Sequence, residues 1–192
     1  MSTIVAVRKG TQACIAADSL TTYGDTRQSS VYDLSSEKIH RFDDNYMGIV
    51  GSAAHHIVMQ SLLADGSNHR FDSRMAIFES LLYLHPILKD KYFLNPKEGG
   101  EEDERPYESS QIDALIVNPH GIFGAFSMRE VFEYSRFWAI GSGAEFALGA
   151  MFAVYDRLDS AEEIARIGVQ AGAEFNAATA LPMTSYTVEL VK

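Results

Sequence analysis

The chain opens on an apolar, β-branched run, Thr3-Ile4-Val5-Ala6-Val7, whose composition predicts a buried strand. A second short apolar run, Gln12-Ala13-Cys14-Ile15-Ala16-Ala17, delivers Asp18 at its end. Glu37-Lys38-Ile39-His40-Arg41-Phe42 alternates like a third strand and carries a lysine near its start. Tyr46-Met47-Gly48-Ile49-Val50 predicts a fourth, running through Gly51-Ser52-Ala53-Ala54 into a helix that lasts to about Ala64. Gly66-Ser67-Asn68 breaks that helix. From about Ser73 to Phe93, the spacing of Ile77, Leu81, Leu84 and Leu88 predicts a second helix with one apolar face, kinked at Pro86.

The pattern then repeats. Ile112–Val117 and Gly121–Phe126 predict strands joined by the turn Asn118-Pro119-His120-Gly121, and Phe137–Ile140 predicts another before Gly141-Ser142-Gly143. The helix expected from Ala144 to Tyr155 is apolar around most of its circumference, so it needs cover on two sides. Ser160-Ala161-Glu162-Glu163 is a capping box opening the last helix, and Thr187–Val191 alternates as a closing strand. Strands, two helices, strands, two helices and a strand give an α+β fold. Its 192 residues suit one domain with a sizeable core.

Composition narrows the function classes. A formal charge of −10 argues against nucleic acid and anionic membrane surfaces as partners. Although 46% of residues are apolar, no run reaches the roughly 18–20 residues needed to span a bilayer. The first strand lacks the basic leader and cleavage box of a signal peptide, and the single cysteine excludes disulfides within the chain. A cytoplasmic location is the expectation. The one charged, Gly- and Pro-rich stretch, Asn95 to Ser110, reads as a solvated acidic insert.

Candidate chemistry starts at Ser2. A small hydroxyl residue behind the initiator methionine is exposed when that methionine is trimmed, leaving a nucleophile and a free α-amine on one residue. Such an amine has a pKa of about 7.7–8.0 and can serve as a general base near neutrality. The strand that follows would hold this terminus rigidly. Asp18 and Lys38, at the end and start of strands, can pair beside it, and the ammonium would lower the hydroxyl's proton affinity. Gly51 N–H, at a strand-to-helix turn, can donate to a developing oxyanion.

Other chemistries find less support. His55 and His56 are adjacent, so on a helix they point about 100° apart and cannot share one metal as i, i+4 histidines do. There is no His-Glu-x-x-His motif and no Gly-x-Ser-x-Gly elbow. Gly141-Ser142-Gly143 sits like a dinucleotide loop, but Phe146 stands where its third glycine belongs. Neither a metal nor an organic cofactor is expected.

On these residues the chain resembles a proteasome β-type subunit, and its opening Thr3–Arg8 is close to the bacterial peptidase HslV. The likeness covers Ser2 to about Leu190 and implies a four-layer αββα sandwich, the fold of N-terminal-nucleophile hydrolases. It implies a nucleophile at Ser2, an aspartate–lysine pair at Asp18 and Lys38, an oxyanion donor at Gly51 and a supporting Ser142. It places Ala53 on the floor of the specificity pocket, Thr21 and Thr22 along the substrate backbone, and Asn176 and Thr179 in support. Serine in place of threonine at the nucleophile, about four extra residues between Asp18 and Lys38, and the acidic insert suit a divergent bacterial homologue of the β-proteobacterial kind better than HslV itself.

The resemblance further implies a homo-oligomeric double ring, a tetradecamer rather than a dodecamer, enclosing sites that cleave peptides or unfolded proteins. It leaves open whether an ATPase unfoldase feeds the ring. Two other functions stay open here: a catalytically weak ring scaffold, and an amidase acting on a small metabolite.

Overall fold

The computed structural model describes residues 2–64, 69–94 and 112–191. The helix break at Gly66–Asn68 and the acidic insert 95–110 lie outside them.

Two antiparallel sheets stack face to face. One has the strand order β10-β1-β2-β11, from Phe137–Ile140, Ile4–Lys9, Gln12–Asp18 and Met183–Glu189. The other runs β5-β6-β7-β8-β9, from Ile39–Phe42, Asn45–Val50, Asp113–Asn118, Gly121–Phe126 and Glu130–Tyr134. Helices α1 (Ala53–Leu63) and α2 (Arg74–Asp90) cover the outer face of the five-stranded sheet. Helices α3 (Ala144–Val154) and α4 (Ala161–Phe175) cover that of the four-stranded sheet. The result is the αββα sandwich.

Strand alternation builds the three cores. On β1, Val5 and Val7 face α3 and α4, while Ile4 and Ala6 face the opposite sheet. On β2, Cys14 and Ala16 face the helices, and Ala13, Ile15 and Ala17 the middle. On β7, Ala114 and Ile116 meet α1 and α2, while Leu115 and Val117 look inward. Strands buried on both faces read as continuous apolar runs rather than alternating ones. That is why β1 and β2 stand out so clearly along the chain.

Several elements depart from the sequence reading. A small hairpin, β3 (Thr21–Tyr23) with β4 (Thr26–Gln28), and a 3-10 turn at Ser30–Tyr32 fill the stretch between Asp18 and Lys38. Strand β9 is also additional; only Val131 of it is buried, so it carries little apolar pattern. Strand β11 begins four residues before the expected Thr187, because its half-exposed Met183-Thr184-Ser185-Tyr186 opening is mostly polar. Helix α2 continues past Pro86 to Asp90, tolerating the lost backbone donor one turn from its end. Helix α3 buries Ala147 and Met151 but leaves Phe146 41% and Phe152 73% exposed, so these two side chains have little cover among the described residues.

Candidate active site

The chain end is fastened at Thr3 rather than at Ser2 alone. Thr3 N–H donates to Asp18 Oδ1 at 2.9 Å, and Asp18 N–H returns a bond to Thr3 O at 3.2 Å. Thr3 Oγ1 lies 3.0 Å from Thr179 Oγ1, and both residues are buried. A Cβ on Gly143 or Gly172 would overlap the Thr3 side chain, so both glycines make room for it. The adjacent Ser2 is itself 3% exposed. Its carbonyl accepts from Gly143 N–H at 3.3 Å and from Ser142 Oγ at 3.5 Å. Gly141, at φ +92°, lies so close beneath Ser2 O that any side chain would collide with it. Val50 also borders the space beside Gly141, which brings the end of β6 close to the terminus.

Beside this end sits a buried ion pair. Lys38 Nζ donates to Asp18 Oδ1 at 2.8 Å and to Leu20 O at 2.7 Å. Burial pulls the Lys38 ammonium below the ordinary lysine range, with the Asp18 carboxylate opposing the shift. Asp18 also takes Leu20 N–H at 3.0 Å and Ala180 N–H at 3.3 Å on Oδ2. Its carboxylate thus has four donors, as a buried charge requires.

A second network runs through Ser142. Ser142 Oγ donates to Asn176 Oδ1 at 3.0 Å, and Asn176 Nδ2 donates to Ser142 O at 2.9 Å. Asn176 caps the end of α4, and its Oδ1 also receives Ala178 N–H at 3.0 Å and Thr179 Oγ1 at 3.4 Å. The Asn176–Thr179 segment is therefore joined to Ser142 and Thr3 by direct bonds.

Gly51 and Ala53 flank the start of α1, both exposed. His55 secures the turn: its Nδ1 accepts from Ser52 N–H at 3.2 Å, and its ring fills the space a Gly51 side chain would need. The Gly51 backbone, at φ +154°, is likewise one that glycine adopts readily. Thr21 and Thr22 lie on β3, where Thr22 Oγ1 is buried without a hydrogen-bond partner. Among the described residues, no hydrogen bond or ion pair joins Thr21, Thr22 or Ala53 to Ser2.

Two participants escaped the sequence reading. Thr3 passes there for an ordinary strand residue, and only its hydroxyl among apolar neighbours hints otherwise. His55 stands three residues after Ser52, at the helix-capping position, with histidine where the usual signal has glutamate or glutamine. His56 turns to a different partner, His40, rather than sharing one with His55. Among the described residues, no group of three or more His, Cys, Asp or Glu side chains is placed to hold a metal ion. No helix among them is long and apolar enough to cross a membrane.

No protein-family model and no curated protein matches the chain. Solved structures do. The BPH of Thiobacillus denitrificans, a bacterial proteasome homologue solved in complex with epoxomicin, is 40% identical. That match covers 99% of this chain and 100% of the other, at a TM-score of 0.90. A second structure of the same protein gives 42% identity over 98% of both chains, again at 0.90. Eukaryotic HslV from Trypanosoma brucei, at 20% identity and a TM-score of 0.70 over 97% of this chain and 99% of its own, shares the fold. With that identity sustained from end to end, this chain belongs to the bacterial proteasome homologues of the proteasome/HslV-type family.

Proposed function

We propose that the chain is a peptidase subunit that cleaves peptide bonds with Ser2 as an N-terminal nucleophile once Met1 has been removed. One observation carries this reading: Ser2 is held at its carbonyl by Gly143 and Ser142, one residue from a buried Lys38–Asp18 pair bound to Thr3. A merely structural ion pair needs no such fixation of a chain end, and most chain ends are loose.

The chemistry follows from these positions. The Ser2 α-amine, free after processing, takes the hydroxyl proton as Ser2 Oγ bonds to the scissile carbonyl carbon. The Lys38 ammonium favours the developing alkoxide electrostatically, and Asp18 fixes the lysine. Gly51 N–H receives the oxyanion of the tetrahedral intermediate. Collapse breaks the C–N bond, and the α-ammonium returns its proton to the leaving amine. An acyl ester remains on Ser2, and water, activated by the same amine, hydrolyses it. Ser142, Asn176 and Thr179 are positioning residues, Thr21 and Thr22 align the substrate backbone, and Ala53 floors its side-chain pocket.

The relatives' family and the exposed Phe146 and Phe152 support assembly into a ring-forming homo-oligomer, which this reading takes to be a double ring, a tetradecamer rather than a dodecamer. Peptides or unfolded proteins in the cytoplasm are the substrates of this reading. A catalytically weak ring scaffold is the second reading, favoured by the near-complete burial of Ser2. Hydrolysis of fluorogenic peptides separates the two. Ser2→Ala should remove all turnover while leaving assembly intact, and Ser2→Thr should preserve or raise it, since the added methyl restricts the rotamer. Undiminished turnover by Ser2→Ala would overturn the mechanism.

A further inference from the structure

Two histidines next to this site remain without a role. His40 lies on β5 two residues after Lys38, and the Lys38 charge is near enough to act on His56. His56 lies on α1 three residues after Ala53, and so on the same face of that helix. His40 Nε2 and His56 Nδ1 are 3.1 Å apart, with ring centroids 5.3 Å apart. Both rings are partly buried. Burial holds both below the ordinary histidine range, His56 down to about 4 with further lowering by His40 and Lys38.

Both rings are therefore neutral near pH 7, and a 3.1 Å N···N contact needs one proton between them. If His40 Nε2 carries it, His40 Nδ1 is a bare acceptor and His56 Nε2 is a donor. If His56 Nδ1 carries it, the outer roles exchange. Either way, the two outer nitrogens offer one donor and one acceptor. Neither is hydrogen-bonded to another group among the described residues. On the Ser2 reading the carbonyl under attack would sit at the Gly51 turn, and the start of α1, with Ala53 and His56 on one face, is the next surface along the chain.

We propose that the His40–His56 pair is a specificity-determining element that recognises an uncharged side chain able both to give and to take hydrogen bonds, a carboxamide, on the substrate residue seated beside Ala53. This rests on the Ser2 reading for the placement of the carbonyl. A carboxamide satisfies both outer nitrogens whichever tautomer is present. An apolar side chain strips them of water and leaves them unpaired, the kind of mismatch that hydrogen-bonding sites reject most strongly. A cationic side chain meets the nearby Lys38 ammonium.

Binding and turnover test it separately. Peptides differing only at the residue beside Ala53 (Gln, Leu, Glu or Lys) are titrated by fluorescence anisotropy into processed Ser2→Ala protein, which cannot consume them. The glutamine peptide should bind about tenfold more tightly than the leucine peptide, the scale of a well-made buried hydrogen bond. His40→Phe and His56→Phe, which keep an aromatic ring in place, should each erase that preference. Circular dichroism identifies a variant that has failed to fold, and the other then decides. Equal binding of glutamine and leucine, a preference that survives both substitutions, or tighter binding of the glutamate or lysine peptide would overturn the inference. A glutamine preference with no cleavage of any peptide by the unsubstituted protein would sink the peptidase reading and leave the recognition site standing. Cleavage of all four at equal kcat/KM would do the reverse.

Discussion

Asp18 accepts from Thr3, Leu20, Ala180 and Lys38 at once, so the side chain is both a structural anchor and the partner of the ammonium. Removing either charge strands the other in a buried setting, which typically costs about 3–5 kcal/mol. Asp18→Ala and Lys38→Ala should each reduce peptide cleavage strongly, and the double variant should be little worse than either, because residues acting as a unit are non-additive. Losses that multiply in a kcat/KM comparison would assign the pair a structural role alone. His56 gives a pH-dependent prediction. Its folded-state pKa of about 4 lies below the ordinary 6.5, so the unfolded chain binds the proton more readily between those values. Stability should therefore be unaffected by this group above about pH 6.5 and fall as pH drops toward 4, by about 2 kcal/mol at pH 5. Urea unfolding at fixed protomer concentration checks this: the pH 7-to-5 loss should shrink by about that amount in His56→Phe, and an unchanged loss would contradict it. At this scale, the sequence disclosed the residues whose type is unusual for their place, such as a hydroxyl behind methionine or a lysine opening a strand. It concealed His40 and His56, which lie sixteen residues apart and meet only after β5 and α1 have packed.

Elements were legible in proportion to how fully they are buried. Strands β1, β2, β6, β7 and β8 are long apolar runs because sheet or helix covers both faces, and their ends agree with the pattern within a residue or two. The β3–β4 hairpin and β9 carry few buried side chains, so no periodicity marks them. Capping chemistry fared better. Ser160 accepts from Glu163 N–H at 3.2 Å at the start of α4, as the capping-box signal implied. Ser160→Ala should lower stability by about 1 kcal/mol in denaturant titrations and leave the site's geometry alone. Gly141→Ala is the contrasting case. Its side chain would enter the space of Ser2 O from a left-handed backbone, so activity should fall well beyond any loss of stability. A variant that unfolds more easily yet retains full turnover would argue that this turn does not position the terminus.

Across the whole molecule, the two sheets and their helical layers place one end of β1, the Lys38 end of β5 and the turn into α1 near one another, and the proposed catalytic residues gather there. The same layering leaves Phe146 on α3 and Phe175 on α4 exposed with their rings 5.7 Å apart, and Phe152 exposed further along α3. An apolar patch of this kind is what a subunit contact covers. Light scattering at micromolar protomer should show a large assembly that Phe152→Glu weakens; a monomer would remove the enclosed-chamber reading. The central claim, that a processed Ser2 carries both nucleophile and base, has a more direct test. Incubating the protein with a peptidyl epoxyketone, whose two electrophilic carbons suit a hydroxyl and an amine on one residue, and measuring the intact and peptide masses reads both groups together. The account predicts a chain lacking Met1 that gains one whole inhibitor, located on the peptide beginning at Ser2 and absent from Ser2→Ala. A chain that retains Met1 in full and stays unlabelled, or one labelled elsewhere, would contradict it.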